Sequence, residues 1–118
     1  MSNQQKSLRN EKLRTYKFLQ AMQEDSYYPK SIVKKGKELL VNLCVEIEAT
    51  EPNDLAALYA LTHATIEEFN ELELEFDEHD SEIDDTAKDA ICGDIEFIAK
   101  SYGFEKADIE ELTAPREW

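Results

Sequence analysis

Apolar residues recur at intervals of three and four along most of the chain, and that spacing predicts helices. The clearest stripe is Ile32, Val33, Gly36, Leu39, Leu40, Leu43, Cys44 and Ile47, with Lys34, Lys35, Lys37, Glu38, Asn42, Glu46 and Glu48 turned outward. Leu55, Leu58, Thr62, Thr65, Ile66, Phe69, Leu72 and Phe76 predict a second long helix over 54–79, with Asn53 as a plausible cap. Inside it, Leu72-Glu73-Leu74-Glu75-Phe76-Asp77 alternates as a strand would. No turn signal precedes that run and it holds no β-branched residue, so helix is the stronger reading. A third stripe, Ile83, Ala87, Ala90, Ile91, Ile95, Ile98 and Tyr102, comes after the capping box Ser81-Glu82-Ile83-Asp84 and is closed by Gly103.

The ends of the chain are less regular. Leu13, Tyr16, Leu19 and Met22 predict a shorter helix that stops before Glu24-Asp25-Ser26. Tyr27-Tyr28-Pro29 then breaks the chain, because proline disfavours helical geometry in the residue before it, and Ser31 is placed to cap the helix that carries the first stripe. Ile109 and Leu112 mark a last short helix from about Asp108, stopped by Pro115. Residues 1–11 hold one leucine among polar side chains, too little apolar surface to offset ordering entropy. The expected organisation is a mobile segment over 1–11 and a single helical domain over 12–118. Its fold class is all-α, a compact bundle of four main helices plus a short C-terminal helix. Gly36 falls on an apolar stripe, where glycine costs about 1 kcal/mol relative to alanine, so Phe18 or an aromatic of the two long helices that follow, such as Tyr59 or Phe97, is expected over it.

Composition narrows the function. The 118 residues carry 13 basic and 27 acidic side chains, a net charge of −14, which argues against DNA, RNA or an anionic lipid surface as partner. The charge is unevenly divided: residues 1–40 hold nine Lys/Arg against four Asp/Glu, or +5, and residues 41–118 hold four against 23, or −19. Lys30, Lys34 and Lys37 share one helical face and form the best candidate for an anion site. No stretch is apolar and long enough for a signal peptide or a membrane span, so a cytoplasmic location is expected. Cys44 and Cys92 stand alone, without the spacing of a zinc site, and read as reduced packing residues.

Chemical motifs are few. Glu67-Glu68-Phe69-Asn70-Glu71 and Glu82-Ile83-Asp84-Asp85 resemble the magnesium site of all-α nucleoside triphosphate pyrophosphatases, in which carboxylates on two helices hold divalent ions against phosphate. On that alternative reading Glu67, Glu68, Glu71, Glu82 and Asp85 are the ligands and magnesium the cofactor; on the other, they form a solvated acidic face with no cofactor. The run from Asp77 fails as a calcium loop, since its sixth residue is Glu82 and its twelfth Lys88. His63 beside Thr62 reads as a structural histidine. No serine or cysteine nucleophile and no glycine-rich phosphate loop is recognisable. Tyr27, Tyr28 and Trp118 are the candidate partner contacts, because aromatic residues dominate binding hot spots; the competing reading is that they pack.

Several segments together resemble a family of small acidic bacterial proteins that carries only a label of unknown function. They are Tyr16-Lys17-Phe18-Leu19, Tyr28-Pro29, Lys35-Gly36-Lys37, Leu58-Tyr59-Ala60-Leu61-Thr62-His63-Ala64, Asp80-Ser81-Glu82-Ile83, and the stretch from Ile109-Glu110-Glu111-Leu112 to Trp118. The resemblance implies a bacterial, cytoplasmic helical domain and says nothing about chemistry. The leading expectation is therefore a non-enzymatic protein-binding domain, for instance an immunity-type antagonist of a basic partner. A magnesium-dependent pyrophosphatase is the alternative, and the sequence leaves a homodimer with a scaffolding role open.

Overall fold

A computed structural model describes residues 3–118, and its described residues form helices and turns without a strand. Three long helices build the body: α4 over Lys30–Thr50, α5 over Leu55–Glu78 and α6 over Asp85–Ser101. Four single-turn helices complete it, α1 at Asn3–Lys6, α2 at Glu11–Arg14, α3 at Gln20–Gln23 and α7 at Ile109–Leu112. The architecture is an all-α bundle, as the periodicity predicts. The expected fourth main helix is instead the broken segment α2–α3.

Helices α4 and α5 pack as an antiparallel pair. Glu51, in left-handed geometry with φ 48°, ends α4 with its N–H on the Ile47 carbonyl, and the Asp54 side chain, not Asn53, caps α5 through the Ala57 N–H. The alternating run after Leu72 stays helical to Glu78. Helix α6 starts later than the capping box implies: Asp84, not Ser81, accepts from the Ala87 N–H. Ser81 is buried. Gly103, with φ 92°, closes α6 in the expected position.

The break between α2 and α3 has a specific cause. Leu19 sits in left-handed geometry, φ 53° and ψ 37°, which costs a residue with a Cβ about 1–2 kcal/mol. Asp94 on α6 holds it there: its carboxylate accepts from the Leu19 N–H at 2.7 Å and from the Tyr16 hydroxyl at 2.7 Å. The turn lets Leu13 and Met22, which would lie on opposite sides of a straight helix, both reach the core together with Phe18 and Leu19.

Met1 and Ser2, the start of the segment expected to be mobile, lie outside the described residues. The rest of it rests on the bundle: Leu8 is buried, and Gln5 is buried with its amide donating to the Leu13 and Tyr16 carbonyls.

Gly36 is buried on α4, and a methyl group there would stand 2.9 Å from Leu19 Cδ1, 3.3 Å from Phe69 Cε1 and 3.6 Å from Leu72 Cδ2. The bulky neighbours are thus Phe69, an aromatic of α5 as expected, and Leu19, which the spacing does not point to. Leu19 is fully buried and its backbone is pinned, so its tip has little room to retreat. Gly36→Ala is expected to lose about 1 kcal/mol, the overpacking outweighing the helix preference for alanine. A urea melt giving a midpoint above the parent's would contradict this.

Candidate functional site

Two carboxylates that the sequence hides among surface acids hold the elements together. Glu48 on α4 accepts from the backbone N–H groups of Arg9 (2.8 Å) and Asn10 (3.1 Å) and from the Tyr102 hydroxyl at the end of α6. Burial alone would raise its pKa, but these donors and the Arg9 guanidinium outweigh burial and lower it. Asp94 is pushed the other way: burial raises its carboxyl despite the Leu19 and Tyr16 donors, and burial beside Asp94 lifts the Tyr16 phenol to about 12. Asp94 falls on a core-facing position, seven residues after Ala87, and Glu48, expected to turn outward, is instead drawn in four residues after Cys44, its side chain 12% exposed. A charge on an apolar stripe is the signal that could have singled out Asp94.

The candidate partner residues separate. Tyr28 is buried, its ring 6.3 Å from that of Phe76 and its hydroxyl donating to Asp84. Tyr27 is 43% exposed, its ring edge-on to Tyr28 at 5.0 Å. Trp118 is partly buried edge-on to Phe69, and Asn70 on α5 ties down the same chain end through the Pro115 carbonyl and the Glu117 N–H. Packing therefore accounts for Tyr28 and for much of Trp118, and Tyr27 is the aromatic presented to solvent. His63 is half-buried, its Nε2 2.6 Å from the Glu111 carbonyl oxygen.

Acidic residues are spread over the exposed surface of α5, the turn after it and the chain end. Glu67, Glu68, Glu71 and Glu82 are exposed, and Asp85 pairs with Lys88 at 3.8 Å. Among the described residues, no three His, Cys, Asp or Glu side chains are grouped so as to hold one metal ion. Nearby, Glu73 is half-buried and its carboxyl is raised, first by burial and then by Glu82, Asp77 and Glu117. None of those four carboxylates forms an ion pair among the described residues.

On the opposite charge, Lys30, Lys34 and Lys37 do share a face of α4, and Lys17 joins them from the α2–α3 turn around a cleft of about 860 Å³. Cys44 and Cys92 are both buried free thiols, and burial pushes the Cys44 thiol up to about 12, so neither is poised as a nucleophile.

These titrations give the protein a characteristic pH response. A carboxyl whose pKa is raised by folding favours the folded state when protonated, so the stability that Glu73 and Asp94 withhold at neutral pH returns as the pH falls. Glu48 has the opposite sign, and its contribution is lost only as the pH drops through its lowered value. The melting temperature is expected to rise as the pH falls from neutral towards the ordinary carboxylate range, and to fall once acidification reaches the lowered value of Glu48. Calorimetry at constant ionic strength reads this directly, and a continuous fall on acidification would contradict it.

The described residues form an all-α bundle with an acidic face and a separate basic cleft, and none of their helices is long and apolar enough to cross a membrane. A family model described as a family of unknown function, DUF5713, matches residues 12–118, and the chain belongs to that family. No curated protein and no solved structure matches the chain.

Proposed function

We propose that the domain is a non-enzymatic binding protein that captures a basic protein partner on its acidic face, in the manner of an immunity-type antagonist. The observation that supports this most is the crowding of Glu73, Asp77, Glu82 and Glu117 without compensating bases. Such like charges repel one another in the free protein, and cationic side chains of a partner would relieve the repulsion and steer association. Tyr27 adds a rigid anchor at the border of this face, because its neighbour Tyr28 reaches Asp84 in the turn before α6.

The test is capture from a lysate of the native bacterium at about 50 and about 500 mM salt, a range over which the screening length falls from about 14 to about 4 Å. A basic protein is expected to be retained at low salt and released at high salt, and lost to an Asp77→Lys/Glu82→Lys variant. A partner held equally by that variant, or with affinity independent of salt, would overturn the reading.

A further inference from the structure

We propose that the cleft between the α2–α3 turn and the first half of α4 binds a small molecule carrying a di- or triphosphate group, through Lys17, Lys30, Lys34 and Lys37. The cleft, of about 860 Å³, falls in the size range of about 300–1,000 Å³ typical of small-molecule sites. Four lysines from two elements line it, and two acidic residues, Glu24 and Glu38, line it as well. One of these two is engaged, Glu24 accepting from the Gln20 amide at 3.1 Å. Lys30 donates to the Gln23 carbonyl, across the short turn that joins α3 to α4. Among the described residues none of the four lysines forms an ion pair, whereas Lys35, one helical step outside the cleft, does.

In a chain of net charge −14 with only 13 basic residues, four lysines gathered around one concavity and left without carboxylate partners are an unusual concentration of positive charge. Burial, and then Lys30 beside it, lowers the Lys37 ammonium, which places these amines close enough to repel one another. A compact polyanion removes that repulsion. Phosphate suits the arrangement because lysines act on it as several point charges, without the flat fork that arginine offers a carboxylate. Phe18 and Val41 supply an apolar floor on which the uncharged part of such a ligand can rest.

The overall charge sets the size of the ligand. A long polyanion such as a nucleic acid would meet the acidic face as well as the cleft, and its many phosphates would be repelled. A small one sits within about 8 Å of the lysines, inside the screening length at physiological salt, and feels mainly the local positive field.

The experiment is calorimetric titration of the whole chain with inorganic pyrophosphate, with ATP and, at matched ionic strength, with citrate. Pyrophosphate and ATP are expected to bind one to one with a dissociation constant below about 1 mM, and citrate at least about tenfold more weakly. Lys34→Gln/Lys37→Gln, at positions outside the core-facing stripe of α4, should weaken both phosphate ligands by about tenfold or more. Lys106→Gln, which changes the net charge by one at an exposed position away from the cleft, should leave them within about twofold. Amide shifts on addition of pyrophosphate should map to residues 17–23 and 30–38. Absence of saturation by about 10 mM, citrate binding as tightly as pyrophosphate, an unaltered affinity in the double variant, or shifts centred elsewhere would each overturn the proposal.

Discussion

Asp94→Ala is expected to lower the unfolding free energy by about 2–3 kcal/mol, while Asp94→Asn should cost less than about 1. Alanine removes the acceptor for two donors at once. The Leu19 N–H is left buried without a partner, which costs about 1–3 kcal/mol, and the Tyr16 hydroxyl loses its contact, while the helix preference for alanine returns about half a kcal/mol. The loss reaches further than the two bonds, because Leu19 is then free to leave its left-handed geometry, and with it the packing of Leu19 over Gly36. Asparagine keeps both contacts: its oxygen accepts from Leu19 and its amide donates to the Tyr16 oxygen. It also removes a charge that burial disfavours. Urea melts of the two variants separate these outcomes. Equal losses in both would show that the negative charge, and not the acceptor geometry, holds the turn.

The same residue explains where the sequence is legible and where it stops being so. The stripes of α4, α5 and α6 can be read because each side chain's burial is set by neighbours three and four residues away. Ile32, Leu40, Leu58, Phe69, Ile91 and Ile98 are all buried as the spacing implies. The break after Arg14 cannot be read in this way. Leu13, Tyr16, Leu19 and Met22 carry a helical spacing, and the group that overrides it lies 75 positions beyond Leu19. The cap of α6 fails for a different reason: Ser81-Glu82-Ile83-Asp84 offers two residues able to cap, and burial of Ile83 selects the later one.

The candidate sites divide along the same line. The lysine face is helical periodicity and is visible in the sequence; Lys17, the fourth member, arrives across the turn made by Leu19 and is not. The five carboxylates of the magnesium motif fit a spacing rule, but a rule of spacing along one helix says nothing of how the second helix is placed against it. Charge segregation between the two parts of the sequence survives as an acidic face and a basic cleft because the few bases after residue 40 are engaged in local pairs, such as Lys88 with Asp85 and Lys100 with Glu96.

Tyr27 and Tyr28 are adjacent in sequence and should respond in opposite ways. Tyr28→Ala is expected to destabilise the fold by about 3–5 kcal/mol, a large share of the stability of a domain this size. The ring is 1% exposed, packs edge-on to Phe76, and joins the start of α4 to the end of α5, so its removal opens a cavity at their junction. Tyr28→Phe isolates the hydroxyl and should cost only about 1 kcal/mol, since Asp84 keeps its cap on the Ala87 N–H when the phenol is gone. Tyr27→Ala, at an exposed position whose backbone N–H bonds to Asp25, should change stability by no more than about 0.5 kcal/mol. The contrast bears on function. A partner can use Tyr27 without disturbing the core, whereas Tyr28 would have to leave its buried site and break its bond to Asp84 to be touched. Thermal melts of the three variants, set beside retention of a basic partner at low salt, should therefore show Tyr27→Ala folded and weakened in binding. A Tyr27→Ala protein that melts several degrees early would place Tyr27 in the packing of the bundle and remove it from the binding face.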